Sequence, residues 1–192
     1  MSRAPLLFLL GLFPALPGMA APSALPAVEV CFNYGCVSHR PVLFDAQRLQ
    51  AVLQNLDEAG SPEEERARLA VAIGDLYALA AEQTPIGQDR GGNYADQGVF
   101  GRMDCVDHST TTTRLLQLLE QQGGLHWHRV LEPARRTRGI IFQHYSAVIE
   151  ARVASDDVPA RRFVVDSWFV DNGKPAVILP LEAWMQGEGP DV

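Results

Sequence analysis

The chain has 192 residues, 47% of them hydrophobic and 20% charged, which is the composition of one folded domain and not of a disordered chain. Sixteen basic residues against 23 acidic ones give a formal net charge of −7, which argues against a broad cationic surface for nucleic acid or anionic lipid. Sixteen Gly and 13 Pro supply the many turns of a mixed α and β domain, and no repeating period points to a solenoid or propeller.

Arg3, the apolar run Leu6 to Phe13 and the small-residue stretch ending at Ala20 have the three zones of a secretory signal, with cleavage expected after Ala20. Gly11, Pro14 and Pro17 interrupt the run well short of the ~20 apolar residues that cross a bilayer. The expectation is a signal over residues 1–20 and a single α+β domain over residues 21–192, exported to the periplasm without stable membrane insertion. In an oxidising compartment the three cysteines make an odd count. Cys31 and Cys36 enclose only Phe32-Asn33-Tyr34-Gly35, a spacing that a disulfide can close, leaving Cys105 as a free thiol. The alternatives are that both stay reduced, or that one of them pairs with Cys105.

Ala27 to Val37 reads as a short strand and the bridged turn. Asp45 to Glu58 follows as a helix, with Leu49, Val52, Leu53 and Leu56 at helical spacing. Ser61-Pro62-Glu63-Glu64 combines a capping serine, proline in the first turn and an acid three residues on, which opens a helix expected to run to about Gln83. Glu63 to Arg68 reads as its exposed, charge-paired face. Thr84 to Gly101 is a long Gly-rich loop, and loops of that length in small domains usually carry function. A third helix is expected from Asp104 or Cys105 to Gly123-Gly124. From there the period changes, and Leu125–Leu131, Gly139–Val153, Arg162–Val170 and Ala176–Leu179 read as strands. Arg135 to Arg138 reads as a solvated loop, and Asp171-Asn172-Gly173-Lys174 as a turn. Helices first and strands later predict N-terminal helices packed on a C-terminal antiparallel sheet of three to four or more strands.

Cys105 sits between the Gly-rich loop and the first turn of a helix, where unsatisfied amides and the macrodipole favour a thiolate. A nucleophile still needs a base, and the base needs an orienting group. His144 and Asp166 fall on like-facing positions of the two strands joined by the turn-rich segment Ala154 to Ala160. Placing His144 directly opposite Asp166 centres that turn on Ser155. A slightly longer register keeps the faces and turns the contact into a diagonal one. An acid amid Phe163, Val164, Val165, Trp168 and Phe169 is costly to bury without a partner.

Asp104-Cys105-Val106-Asp107-His108 opening a helix, then His144 in His-Tyr-Ser-Ala-Val-Ile, then Asp166 in Val-Val-Asp-Ser-Trp-Phe, resembles the Cys, His, Asp order of the transglutaminase-like cysteine enzymes. It is most similar to the bacterial transglutaminase-like cysteine peptidases, whose nucleophile lies in a comparable Asp-Cys-x-Asp stretch. The resemblance covers roughly Tyr94 to Val170 and departs at Met103, where the peptidases commonly carry glycine. It implies a papain-like core with the nucleophile on a helix packed against a sheet that carries His and Asp. The roles that follow are Cys105 as nucleophile, His144 as its ion-pair partner and proton donor, and Asp166 as the group that fixes the imidazole tautomer. The Cys105 amide and Gln97 are the candidate oxyanion donors.

A peptide or protein substrate and no cofactor are implied. Two other readings stay open: an inactive binding module of the same fold, and a metal site built from Cys105, His144 and the His126-Trp127-His128 pair of imidazoles. Trp127 itself reads as a core residue. No Gly-x-Ser-x-Gly elbow, phosphate loop or dinucleotide fingerprint occurs.

Overall fold

Val28 and Val30 alternate with exposed Ala27 and Glu29 to form β1 (Ala27–Phe32), the first strand in a computed structural model that describes residues 25–138, 142–152 and 161–190. The segment read as an export signal, residues 1–20, and the turn-rich residues 153–160 lie outside the described residues. β1 pairs antiparallel with β2 (Ser38–Leu43) in a two-stranded sheet, and the Cys31–Cys36 disulfide closes the turn between them. β2 has no sequence signature because only Val42 is buried along it and Pro41 interrupts it, so no alternation marks it.

Asp45 accepts from the Gln47 and Arg48 amides to start α1 (Ala46–Asp57), which buries Leu49, Val52, Leu53 and Leu56. Ser61 accepts from the Glu64 amide and Pro62 occupies the first turn of α2 (Pro62–Ala81), as its sequence predicts. α2 ends two residues before Gln83, and Glu65 lies fully buried inside the face expected to be solvated. The long loop after α2 holds one 3-10 turn at Pro85–Gln88. Asp104 then caps α3 (Cys105–Gln121), which closes at Gly123 with φ +79°.

Four antiparallel strands follow in the order β3 (His128–Arg138), β4 (Phe142–Ala151), β5 (Arg162–Asp166) and β6 (Val177–Pro180). A short α4 (Leu181–Met185) ends the described architecture. Arg135 to Arg138 is strand and not loop: β3 continues past a shift in register between Leu131 and Ala134 and pairs Arg136 with His144. The arginine run hid this strand, because a row of cations gives no apolar alternation. The Asp171–Lys174 turn forms as expected, closed by the Lys174 amide on the Asp171 carbonyl at 3.0 Å.

Parity along the central strands splits the interior in two. Ala147, Ile149, Phe163 and Val165 join Leu69, Ile73, Leu76, Leu115 and Leu119 in the main core. Val148 and Val164 turn the other way, into a smaller cluster with Trp168, Phe169 and Trp184. His144 and Asp166 share the parity of this second, aromatic face, and Cys105 packs against it. Among the described residues no helix is long and apolar enough to cross a membrane.

Gly74 sits in the interior of α2, where replacing glycine by alanine ordinarily stabilises a helix by about 1 kcal/mol. A Cβ there would stand 2.7 Å from the Lys174 carbonyl oxygen, so the sign should invert. Gly74→Ala is expected to lower the unfolding free energy by about 1–3 kcal/mol in a urea titration.

Candidate active site

The start of α3 is built from acids. The Asp104 side chain accepts from the Val106 and Asp107 amides, and Asp107 accepts in return from the Asp104 amide, a reciprocal capping box. Asp107 does more than complement the helix dipole. Its carboxylate also accepts from the Tyr34 amide at 2.8 Å and the Cys36 amide at 2.6 Å, while Asp104 accepts from the Gly35 amide at 3.0 Å. The disulfide turn is thereby strapped across the mouth of the helix. Asn33, Tyr34, Gly35 and Cys36 all have positive φ, between 56° and 68°, so the backbone amides of the turn converge on these two carboxylates. Burial and the neighbouring Asp104 charge push the Asp107 carboxyl up to about 6.

Cys105 is the free cysteine and is half-buried. Its Sγ lies 3.9 Å from the Gln143 carbonyl oxygen and takes a hydrogen bond from the Tyr145 amide, so the sulfur rests on the backbone on either side of His144. The thiol is pushed up from its ordinary pKa, first by burial and then by the Asp104 and Asp166 carboxylates. This corrects the expectation of a thiolate favoured by the helix terminus. Burial leads, and the acidic cap that begins the helix adds to it against the field the helix supplies.

His144 Nε2 meets Asp166 Oδ2 at 2.8 Å. The register accounts for the contact: Ala147 faces Val165 and Val148 faces Val164, two positions longer than the register that sets His144 opposite Asp166. The imidazole therefore reaches the carboxylate diagonally. Asp166 is 1% exposed, and the Trp184 indole N–H also donates to its Oδ2, at 3.0 Å. Trp168, Phe169 and Trp184 surround the imidazole, with ring centroids 4.8, 5.4 and 5.6 Å away. Because Nε2 is engaged with an acid that can only accept, Nδ1 is the ring nitrogen left for proton transfer.

Cys105 and His144 line one cleft of about 520 Å³, walled by Tyr34, Tyr94, Phe142 and Trp168. Two devices place these walls. The Gly91 and Gly92 backbone packs directly on the chain after β5, where a Cβ on Gly91 would stand 2.5 Å from the Phe169 carbonyl oxygen. The Gly92 amide bonds the Trp168 carbonyl at 2.8 Å, and this docking carries Tyr94 over Trp168. Asp96 then gathers the Tyr34 hydroxyl, the Asn93 amide group at 2.5 Å and Arg102 at 3.0 Å. Gln97, the expected oxyanion donor, is exposed and is not among the residues that line the cleft. It follows Asp96 on the solvent side of the loop.

A second acid–imidazole pair lies beneath the site. His108 bonds Asp89 at 2.9 Å through Nε2 and Ser167 at 2.8 Å through Nδ1, and Ser167 continues to Thr112 at 2.8 Å and to Tyr77 at 3.3 Å. The imidazoles of the proposed metal site go elsewhere. His128 is fully buried against Glu65 at 2.8 Å, and His126 bonds Asp57 at 2.9 Å. Trp127 between them is 37% exposed and is no core residue. Among the described residues no group of His, Cys, Asp and Glu could hold a metal ion. No family model, curated protein or solved structure matches the chain.

Asp104→Asn keeps a capping side chain and removes a charge beside the sulfur. It is expected to bring the thiol pKa down and to speed iodoacetamide alkylation of Cys105 near neutral pH about three-fold or more, the equivalent of half a pH unit. The disulfide closes a loop short enough to be worth about 2 kcal/mol by chain entropy. Cys31→Ser combined with Cys36→Ser should lose at least that much unfolding free energy in urea, since the left-handed turn then rests on hydrogen bonds alone.

Proposed function

We propose that the protein is an exported, periplasmic cysteine hydrolase or acyltransferase that acts on peptide or amide bonds through Cys105, His144 and Asp166. The observation that carries this reading is the buried Asp166–His144 hydrogen bond at 2.8 Å, made by an imidazole that lines the same cleft as the free thiol at the start of α3. A helix-borne thiol facing a sheet-borne imidazole and acid is the arrangement that the transglutaminase-like, papain-like resemblance implies. The disulfide on the protein's own surface turn fits an oxidising compartment.

Burial and the flanking carboxylates push the thiol pKa up, so His144 acts first as a base. Nδ1 takes the Cys105 proton as the sulfur attacks the carbonyl carbon, and the S–C bond forms while the carbonyl π pair moves to oxygen. The Cys105 amide, at the first position of α3, is one donor for that oxygen. When the tetrahedral adduct collapses, the C–N bond breaks and the imidazolium returns its proton to the departing amine, which leaves a thioester on Cys105. Water or an amine then attacks the thioester, His144 removes its proton, and the thiol is restored. Asp166 accepts from Nε2–H throughout and stabilises the positive ring. The aromatic walls, Tyr34, Tyr94, Phe142 and Trp168, suit an extended peptide with apolar side chains, and no cofactor is called for.

A thiol-directed activity probe should label the protein. Cys105→Ala is expected to abolish labelling, and His144→Ala to slow it roughly 100-fold or more with the fold intact. Labelling that persists without Cys105, or no labelling of the folded protein at all, would remove this reading.

A further inference from the structure

The triad as read leaves one donor on Asp166 without a task. Trp184 directs its indole N–H to Oδ2 at 3.0 Å, the oxygen that also accepts from His144 Nε2 at 2.8 Å. Trp184 is fully buried and Asp166 1% exposed, so bulk water does not compete for that oxygen. The indole also lies against the imidazole, with ring planes 40° apart.

Trp184 is held in turn. Arg136, on β3, donates to the Trp184 carbonyl at 2.5 Å and the Glu188 carbonyl at 2.8 Å, and its guanidinium stands 4.6 Å from the indole centroid. Gly189 rests on the Phe169 ring, where a Cβ would come within 2.8 Å of Cζ. The chain from Leu181 to Gly189 thus crosses behind the imidazole and acid, held by Arg136 of β3 at Trp184 and Glu188 and by Phe169 at Gly189.

On the reading of Cys105, His144 and Asp166 as a triad, we propose that Trp184 is its positioning residue, held in place by Arg136. The indole N–H fixes the lone pair that Asp166 presents to His144 and takes up part of the carboxylate's charge. An oxygen shared between two donors grips each less strongly. With the indole in place, Asp166 orients the ring without binding the imidazolium so tightly that it fails to return its proton to the leaving amine. Without the N–H, the full charge bears on His144, which then holds a proton to higher pH. The titratable and charged groups that face His144 are Asp166 on β5, Cys105 on α3, Asp104 at its cap, and Arg136 on β3. Tyr34 and Tyr94 stand across the cleft.

The test follows the His144 ring protons by NMR across pH in the full chain carrying Cys105→Ala, so that no thiol titrates with the imidazole. Trp184→Phe, which keeps a ring and removes the N–H, is expected to raise the His144 midpoint by about half a pH unit, roughly three-fold in the protonation equilibrium. Arg136→Gln should move it the same way by less. If Trp184→Phe does not fold by circular dichroism, the benzothienyl analogue of tryptophan at position 184, which has the indole shape without the N–H, is titrated instead. A merely structural tryptophan would lower the melting temperature and leave the midpoint where it was. A midpoint unchanged or lowered in a folded variant overturns the proposal. Because this readout uses a chain without the thiol, a raised midpoint in a protein that no probe labels would sink the enzyme reading and keep the positioning contact.

Discussion

A carboxylate that is 1% exposed at the end of a strand has to be surrounded by donors, because burying an unpaired charge costs several kcal/mol. Asp166 finds them on three elements. His144 comes from β4, the Trp184 indole from α4, and the Trp168 amide, at 3.3 Å, from the bend that ends β5. Each donor fixes something larger than itself. The imidazole sets the orientation of the ring toward the cleft, the indole brings the C-terminal segment behind it, and the amide turns the chain so that Trp168 and Phe169 can close round the ring. Removing the acid would leave these elements with no common point to meet.

The next residue pins the opposite side. Ser167 points away from Asp166 into the buried chain of Asp89, His108, Thr112 and Tyr77. His108 lies one turn beyond Cys105 on α3, so its bond to Ser167 sets how the start of that helix stands against the end of β5. Asp89 in turn accepts from the Met103 amide at 2.8 Å, two residues before the thiol. Two adjacent residues thus hold the acid on one face of the sheet and the helix that bears Cys105 on the other. The separation between thiol and carboxylate is therefore fixed by packing and not by a flexible loop.

Much of this was legible in the amino-acid sequence where one physical signal dominated. Ser61-Pro62 and Asp104 announced helix starts because caps are local chemistry, and the Leu49 to Leu56 spacing announced α1 because one face is buried. The α+β order, the local disulfide and the like parity of His144 and Asp166 were legible for the same reason. β2 was not, since an edge strand with one buried residue leaves no pattern. The arginines of β3 read as solvent because charge, not burial, is what sequence shows. Arg136 is 9% exposed only because backbone carbonyls from the C-terminal segment receive it. Trp184 was invisible as a site residue for a related reason: its partner Asp166 is fixed by tertiary packing, and a lone tryptophan in a short amphipathic stretch reads as core. Gln97 is exposed and outside the cleft lining, because a position in a loop says nothing about which way the side chain turns.

The acid–base state of the thiol follows from weighing two local fields. A helix N-terminus offers a nearby anion about 0.3–1 kcal/mol at a surface and up to ~2 when partly buried. At Cys105 that gain is opposed by burial among the aromatic cluster and by carboxylates on both sides, Asp104 in its own cap and Asp166 across the cleft, and the opposing effects win. Asp104 has a second task, because together with Asp107 it holds the disulfide turn whose Tyr34 walls the cleft. The upward push on the thiol is thus the consequence of how the cleft is built. On the proposed reading such a thiol needs a base with a vacant ring nitrogen in the same cleft, and of the imidazoles in the described residues it is His144 that lines the cleft with Cys105.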